Sequence, residues 1–133
     1  LTSQPEHERL LRDIDIYVMP VYNPDGYEYT HTTDRMWRKN RSGPRDNCYG
    51  VDLNRNFAFH WGEGESSSPD PCEYELYQGP EPASELETKS ISKFLKSNSN
   101  TIKVDLSLHS CKGLVIHPYN YAEHTYPEDI EDI

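Results

Sequence analysis

Nowhere in the 133 residues is there an apolar run near the ~20 residues that a membrane span needs, so no membrane partner is expected. Basic charge is scarce: 13 Lys and Arg stand against 23 Asp and Glu, a formal net charge of -10. A nucleic-acid backbone needs a basic face, which excludes nucleic acid as a partner. The 7 glycines never gather into a phosphate-cradling loop, and "GEGESSSPDP" is a turn-rich acidic loop instead. There is no internal repeat. Apolar residues make up 34% of the chain and the mean hydropathy is -0.92, which with 10 prolines fits a loop-rich domain or a piece of a larger one. The opening "LTSQPEHERL" lacks the basic end and apolar centre of a signal peptide. A mature chain lacks them too, so this assigns no compartment.

Cysteine is also sparse, and the 3 present allow one disulfide and a leftover thiol. Cys48 and Cys72 flank a loop rich in Gly, Ser, Pro and acidic residues. If they join, closing a loop of about 25 residues contributes roughly 3 kcal/mol in the chain-entropy model, and the compartment is oxidising.

The patterned segments are few. Ser3 and Glu6 have the spacing of a capping box opening a short helix. "IDIYVMPVYN" reads as a largely buried strand, which "NPDG" then breaks. From Tyr27 to about Gln78 no sustained period of either kind appears, which marks a long functional or stapled loop region. A second helix follows, with Ser84 as N-cap, Glu87 at N3, and Leu86, Ile91, Phe94 and Leu95 on one side. "TIKVDLSLHS" alternates cleanly as a strand ending at His109, and "GLVIHPYNY" is a further short apolar run. Together these predict an α/β arrangement in which a sheet is covered by helices. Ligands collect beyond the carboxyl ends of such strands, where Asn23 and His109 fall.

Taken singly, the polar candidates are ambiguous. Arg35, Arg38, Lys39, Arg41 and Arg45 crowd one segment, either a basic patch or a solvated loop. Arg38 follows Trp37 and can stack on the indole. Arg55, between Asn54 and Asn56 in the apolar "GVDLNRNFAFHW", must find an anion: either Asp52 neutralises it or a ligand does.

In combination, "NPDGYEYTHTTDRMWRKNRS", "CYGVDLNRNF", "PCEYELYQGPEPASELETKSI" and "SLHS" resemble, in order and spacing, the zinc metallocarboxypeptidases of the pancreatic carboxypeptidase A/B type. The resemblance covers nearly the whole chain. It implies a mixed β-sheet flanked by helices, and hydrolysis of the C-terminal peptide bond of peptides and proteins by a zinc-activated water. By the same resemblance His109 matches a zinc ligand, and Asp52 the carboxylate that steadies another zinc histidine. Arg38 matches the arginine that polarises the scissile carbonyl. Asn54 and Arg55 match the pair that receives the substrate's terminal carboxylate, a task suited to a guanidinium fork and an amide. Arg41 matches a basic residue lining the groove.

Two departures accompany the match. No His-x-x-Glu, the family's source of the other two zinc ligands, stands ahead of "NPDG", and nothing after "HPYNY" matches the region of the general-base glutamate. Residues 1–133 are therefore expected to form the central part of a catalytic domain, inactive alone, from a secreted protein that is monomeric when complete. The rival reading is a non-catalytic module that binds peptide C-termini. Cys111 stands where the family usually has a tyrosine, after a Ser110–Cys111 link that is cis in the family.

Overall fold

The computed structural model describes residue 8 and residues 11–63, 66–110, 113–119 and 121–132. Glu8 and Leu11 are helical; Ser3, Glu6 and Cys111 lie outside the described residues, and so does the Ser110–Cys111 link.

Helix α1 spans Pro24–Thr32, where the sequence pattern suggested only a turn. Its apolar residues follow no helical spacing, so the signal lies in its cap. The Asn23 side chain accepts from the Gly26 N–H at 3.0 Å, and Pro24, whose missing N–H is no loss in a first turn, follows it. The same Asn23 donates to the carbonyls of Lys39 (3.1 Å) and Arg38 (3.3 Å). Gly26 makes the approach possible, since a Cβ there would sit 2.5 Å from the Lys39 carbonyl oxygen. The "NPDG" motif therefore starts a helix and clamps the segment that carries Arg38.

Helix α2 spans Leu86–Ser97 and ends at Asn98. Its N-cap is Glu85 and not Ser84, whose hydroxyl is engaged by the Asn56 amide (2.9 Å) and by Glu85 Oε1 (2.7 Å). The face toward the core is marked by the fully buried Thr88, while Leu86 is 78% exposed, outside the apolar side that its spacing suggested.

Between the helices lies a knot of buried polar groups with a small apolar centre of Val51, Leu53 and Tyr77. Asn40 Oδ1 accepts from the Val51 N–H (2.8 Å), and its amide donates to Glu85 Oε2 (2.8 Å). Asn56 donates to the Gln78 carbonyl (2.9 Å) and accepts from Thr88 Oγ1 (2.5 Å) and the Glu85 N–H (3.1 Å). Buried amides so fully paired hold a unique arrangement, because each lost partner would strand another. Burial pushes the Glu85 carboxyl up, but hydrogen bonds from Ser42, Asn40 and Ser84 and the charge of Arg45 outweigh it and hold the group below the usual carboxylate range.

The Cys48–Cys72 disulfide ties the acidic loop to this knot. Beside it, Lys39, 2% exposed, donates from Nζ to the Glu73 carbonyl at 2.6 Å. Burial draws its pKa below the ordinary lysine value.

The segments read as strands are unpaired. Among the described residues there is no ladder, only isolated bridges between Arg45 and Cys48 and between Ser68 and Tyr77. Val18 is 76% exposed and Leu108 92%, on two segments expected to lie within a sheet. An extended segment becomes a strand only when a neighbour takes its N–H and C=O groups, and these have none. The first arm still touches α2, where Tyr17 meets Phe94 edge to face at 5.3 Å. The tail packs back through Tyr121, stacked on His60 at 3.6 Å.

Candidate functional site

The chain's order brings "MWRK" against "VDLNR" because Asn40 pairs with Val51 in both directions, its N–H donating to the Val51 carbonyl at 2.9 Å. Asp52 comes next, 2% exposed, its N–H bonded to the Tyr77 carbonyl at 2.8 Å. The Oδ2 atom of this carboxylate accepts from Arg38 Nε (3.1 Å) and Nη2 (3.0 Å). Its Oδ1 accepts from the Asn54 N–H at 3.0 Å and so caps the 3₁₀ turn Leu53–Arg55. A buried carboxylate left without such partners would be costly to the fold.

Arg38 therefore does not stack on Trp37. The cations over that indole are Arg41, at 4.6 Å from the ring centroid, and Lys39, at 5.6 Å. Nor does Asp52 neutralise Arg55, which donates from Nε to the Ser66 carbonyl at 2.5 Å. Among the described residues no hydrogen bond or ion pair reaches the Nη groups of Arg55. Asn54 beside it is exposed. Two donor-rich side chains thus stand on one short turn whose start is fixed by Asp52, an arrangement able to take a carboxylate.

The remaining candidates lie elsewhere. Arg41 sits over Tyr29 at 3.7 Å and faces Tyr49 at 5.0 Å, in an aromatic-walled cavity of about 280 Å³ beside the disulfide. His109 ends its exposed arm with Nε2 at 3.2 Å from Ser107 Oγ. Among the described residues no three His, Cys, Asp or Glu side chains are grouped to hold a metal. One histidine does not make a zinc site, so the described residues do not by themselves fit the ion.

A His-x-x-Glu does occur downstream of "NPDG", at His60 to Glu63. Its polar atoms serve each other, Nδ1 to Oε2 at 2.6 Å, with the ring stacked on Tyr121. Asn23 is the other residue whose part was missed. The signal for it was present, an asparagine before Pro-Asp-Gly being a helix cap as much as a turn.

The family model described as zinc carboxypeptidase matches residues 1–133. A zinc carboxypeptidase of Simulium vittatum is 50% identical over 132 residues, covering 97% of this chain and 43% of that protein. Carboxypeptidase B2 of Bos taurus is 51% identical over 119 residues, 87% of this chain and 27% of its own length. The solved structure of bovine thrombin-activatable fibrinolysis inhibitor, in complex with tick carboxypeptidase inhibitor, superposes with a TM-score of 0.86 at 45% identity, over 94% of this chain and 42% of that one. The chain thus spans less than half the length of these relatives. With the family model matching along its whole length, it belongs to the zinc carboxypeptidase family.

Proposed function

We propose that this chain is the central segment of the catalytic domain of a metallocarboxypeptidase, which removes the C-terminal residue of peptides and proteins. The observation that carries the reading is the turn Leu53–Arg55, which presents Asn54 and the Nη groups of Arg55 next to an Arg38 held by Asp52. In this reading the Arg55 fork grips the terminal carboxylate through parallel bonds and the Asn54 amide adds a third. Arg38 supplies fixed positive charge where the carbonyl oxygen becomes negative during attack.

His109 is this segment's contribution to the zinc site, and Arg41 lines the approach to the groove. The apolar arms are strands of a mixed sheet completed by the rest of the domain, a reading supported by their exposure here. The disulfide fits an oxidising, extracellular setting, and the complete enzyme is a monomer.

The test is release of the last residue from a peptide with a free C-terminus by the full-length protein, and its absence with the C-terminal amide. Arg55→Ala should raise KM by about 100-fold or more, since it removes a charge-assisted double bond to the substrate. Equal cleavage of acid and amide, or an unchanged KM, would overturn the assignment.

A further inference from the structure

We propose that Asp52 is a positioning residue for two parts of the site at once: it orients the Arg38 guanidinium and, through the same carboxylate, sets the turn that presents Asn54 and Arg55. The inference rests on the functional reading above. It begins from the way the donors are divided. Arg38 places Nε and Nη2 on the single atom Oδ2, at 3.1 and 3.0 Å, so one edge of its plane is held by two bonds. A guanidinium has five N–H groups in a fixed fork. With one edge held, its Nη1 donors are directed and not free to swivel.

The other oxygen of the carboxylate holds the Asn54 N–H at 3.0 Å, and the Asp52 carbonyl accepts from the Arg55 N–H at 2.9 Å. Asp52 is itself immobilised, 2% exposed, in the chain between Val51 and Leu53 and bonded through its N–H to Tyr77. Three bonds fill three of the roughly four acceptor positions of a carboxylate and leave one.

Asp52 is buried and needs a cation beside it, so the pair also serves the fold, but charge compensation alone does not call for two bonds from one edge of the guanidinium. What the pair supplies is direction: a fixed distance between the group that polarises the carbonyl and the turn that grips the carboxylate. In catalysis a misplacement of about 1 Å costs on the order of 100-fold.

The test is a mutant cycle in the full-length protein: Arg38→Ala, Asp52→Asn, the double variant, and Asp52→Ala, with kcat, KM, bound zinc and melting temperature recorded. Asp52→Asn keeps an acceptor for the Asn54 N–H but removes the charge facing Arg38. It should lower kcat about 100-fold with KM changed less than about threefold. In the Arg38→Ala background the same change should cost at least about tenfold less, since the group it orients is gone. Asp52→Ala, which also loses the cap, should raise KM by a further factor of about ten.

Losses that multiply, so that the double variant equals the product of the singles, would overturn the inference and leave Asp52 acting on the metal side alone. Equal KM values in the Asn and Ala variants would overturn its second half. If Asp52→Asn does not fold, Asp52→Glu takes its place in the cycle. No activity in the unsubstituted protein rejects the functional reading and this inference with it, whereas an active protein with multiplying losses rejects only the inference.

Discussion

The stretch from residue 37 to residue 88 and the apolar arms at 14–23, 102–110 and 113–117 treat burial in opposite ways. In the first, Asn40, Asp52, Asn56, Glu85 and Thr88 are buried. In the second, Val18, Leu106 and Val115 face solvent. The inversion separates two kinds of dependence. The polar knot satisfies its own donors and acceptors within one stretch of chain, closed by a disulfide. The arms carry side chains that gain only from neighbours, about 25 cal/mol for each Å² of apolar surface covered. The catalytic candidates divide along the same line, with Arg38, Asp52, Asn54 and Arg55 in the knot and His109 on an arm.

The comparison can be broken most severely at Asn56. Asn56→Leu should destabilise the full-length protein by about 3–5 kcal/mol, because it leaves the buried Glu85 N–H without a partner and takes one bond each from Thr88, Ser84 and the Gln78 carbonyl. Urea unfolding monitored by tryptophan fluorescence measures the shift, and a loss under 1 kcal/mol would deny that the knot is held by its amides. The next effect is the disulfide: Cys48→Ala with Cys72→Ala should cost about 3 kcal/mol by loop-closure entropy, read from the same curves with and without reductant.

The arms sharpen the contrast because their effect should depend on context. If the proposed sheet covers it, Leu106→Ala should cost about 2–4 kcal/mol in the full-length protein and less than about 0.5 kcal/mol in the isolated 133-residue chain. Equal values would show that the arm is buried in both or in neither. The isolated chain, with these surfaces open, should bind a hydrophobic dye and show no peptidase activity on addition of zinc.

The smallest effect is with pH. The folded pKa of Glu85 lies below its ordinary value of 4.5, so the folded state binds fewer protons than the unfolded one in that range. Its contribution is therefore complete above the unfolded pKa and lost as pH falls through the folded one. Glu85→Gln should flatten the acid limb of the stability curve, measured by thermal melting between about pH 6 and 3.

What was legible in the sequence follows the same division. The roles suggested by "DLNRNF" and "MWRK" depend on local order, and the structure does bring Arg38, Asp52 and the Asn54–Arg55 turn together. Helix α2 was legible from its apolar spacing, but its first residue was not, because Ser84 spends its hydroxyl on Asn56, far along the chain. Helix α1 was not legible as a helix, having a cap but no stripe. The partner of Arg38 was beyond reach as well: the indole is adjacent in sequence, and the buried carboxylate is brought in only by the pairing of Asn40 with Val51. The strands show a third limit. Alternation reports which residues suit a sheet and says nothing of whether the neighbours that make one are present.

Asn23 ties these regions together in one further respect. It stands where the first arm ends, two residues past Val21, yet its amide grips the backbone of Arg38 and Lys39. The placement of that arm is thereby transmitted to the guanidinium through one side chain and two hydrogen bonds. A displacement of that arm would therefore reach the backbone of Arg38 before any change had been made at Arg38 itself.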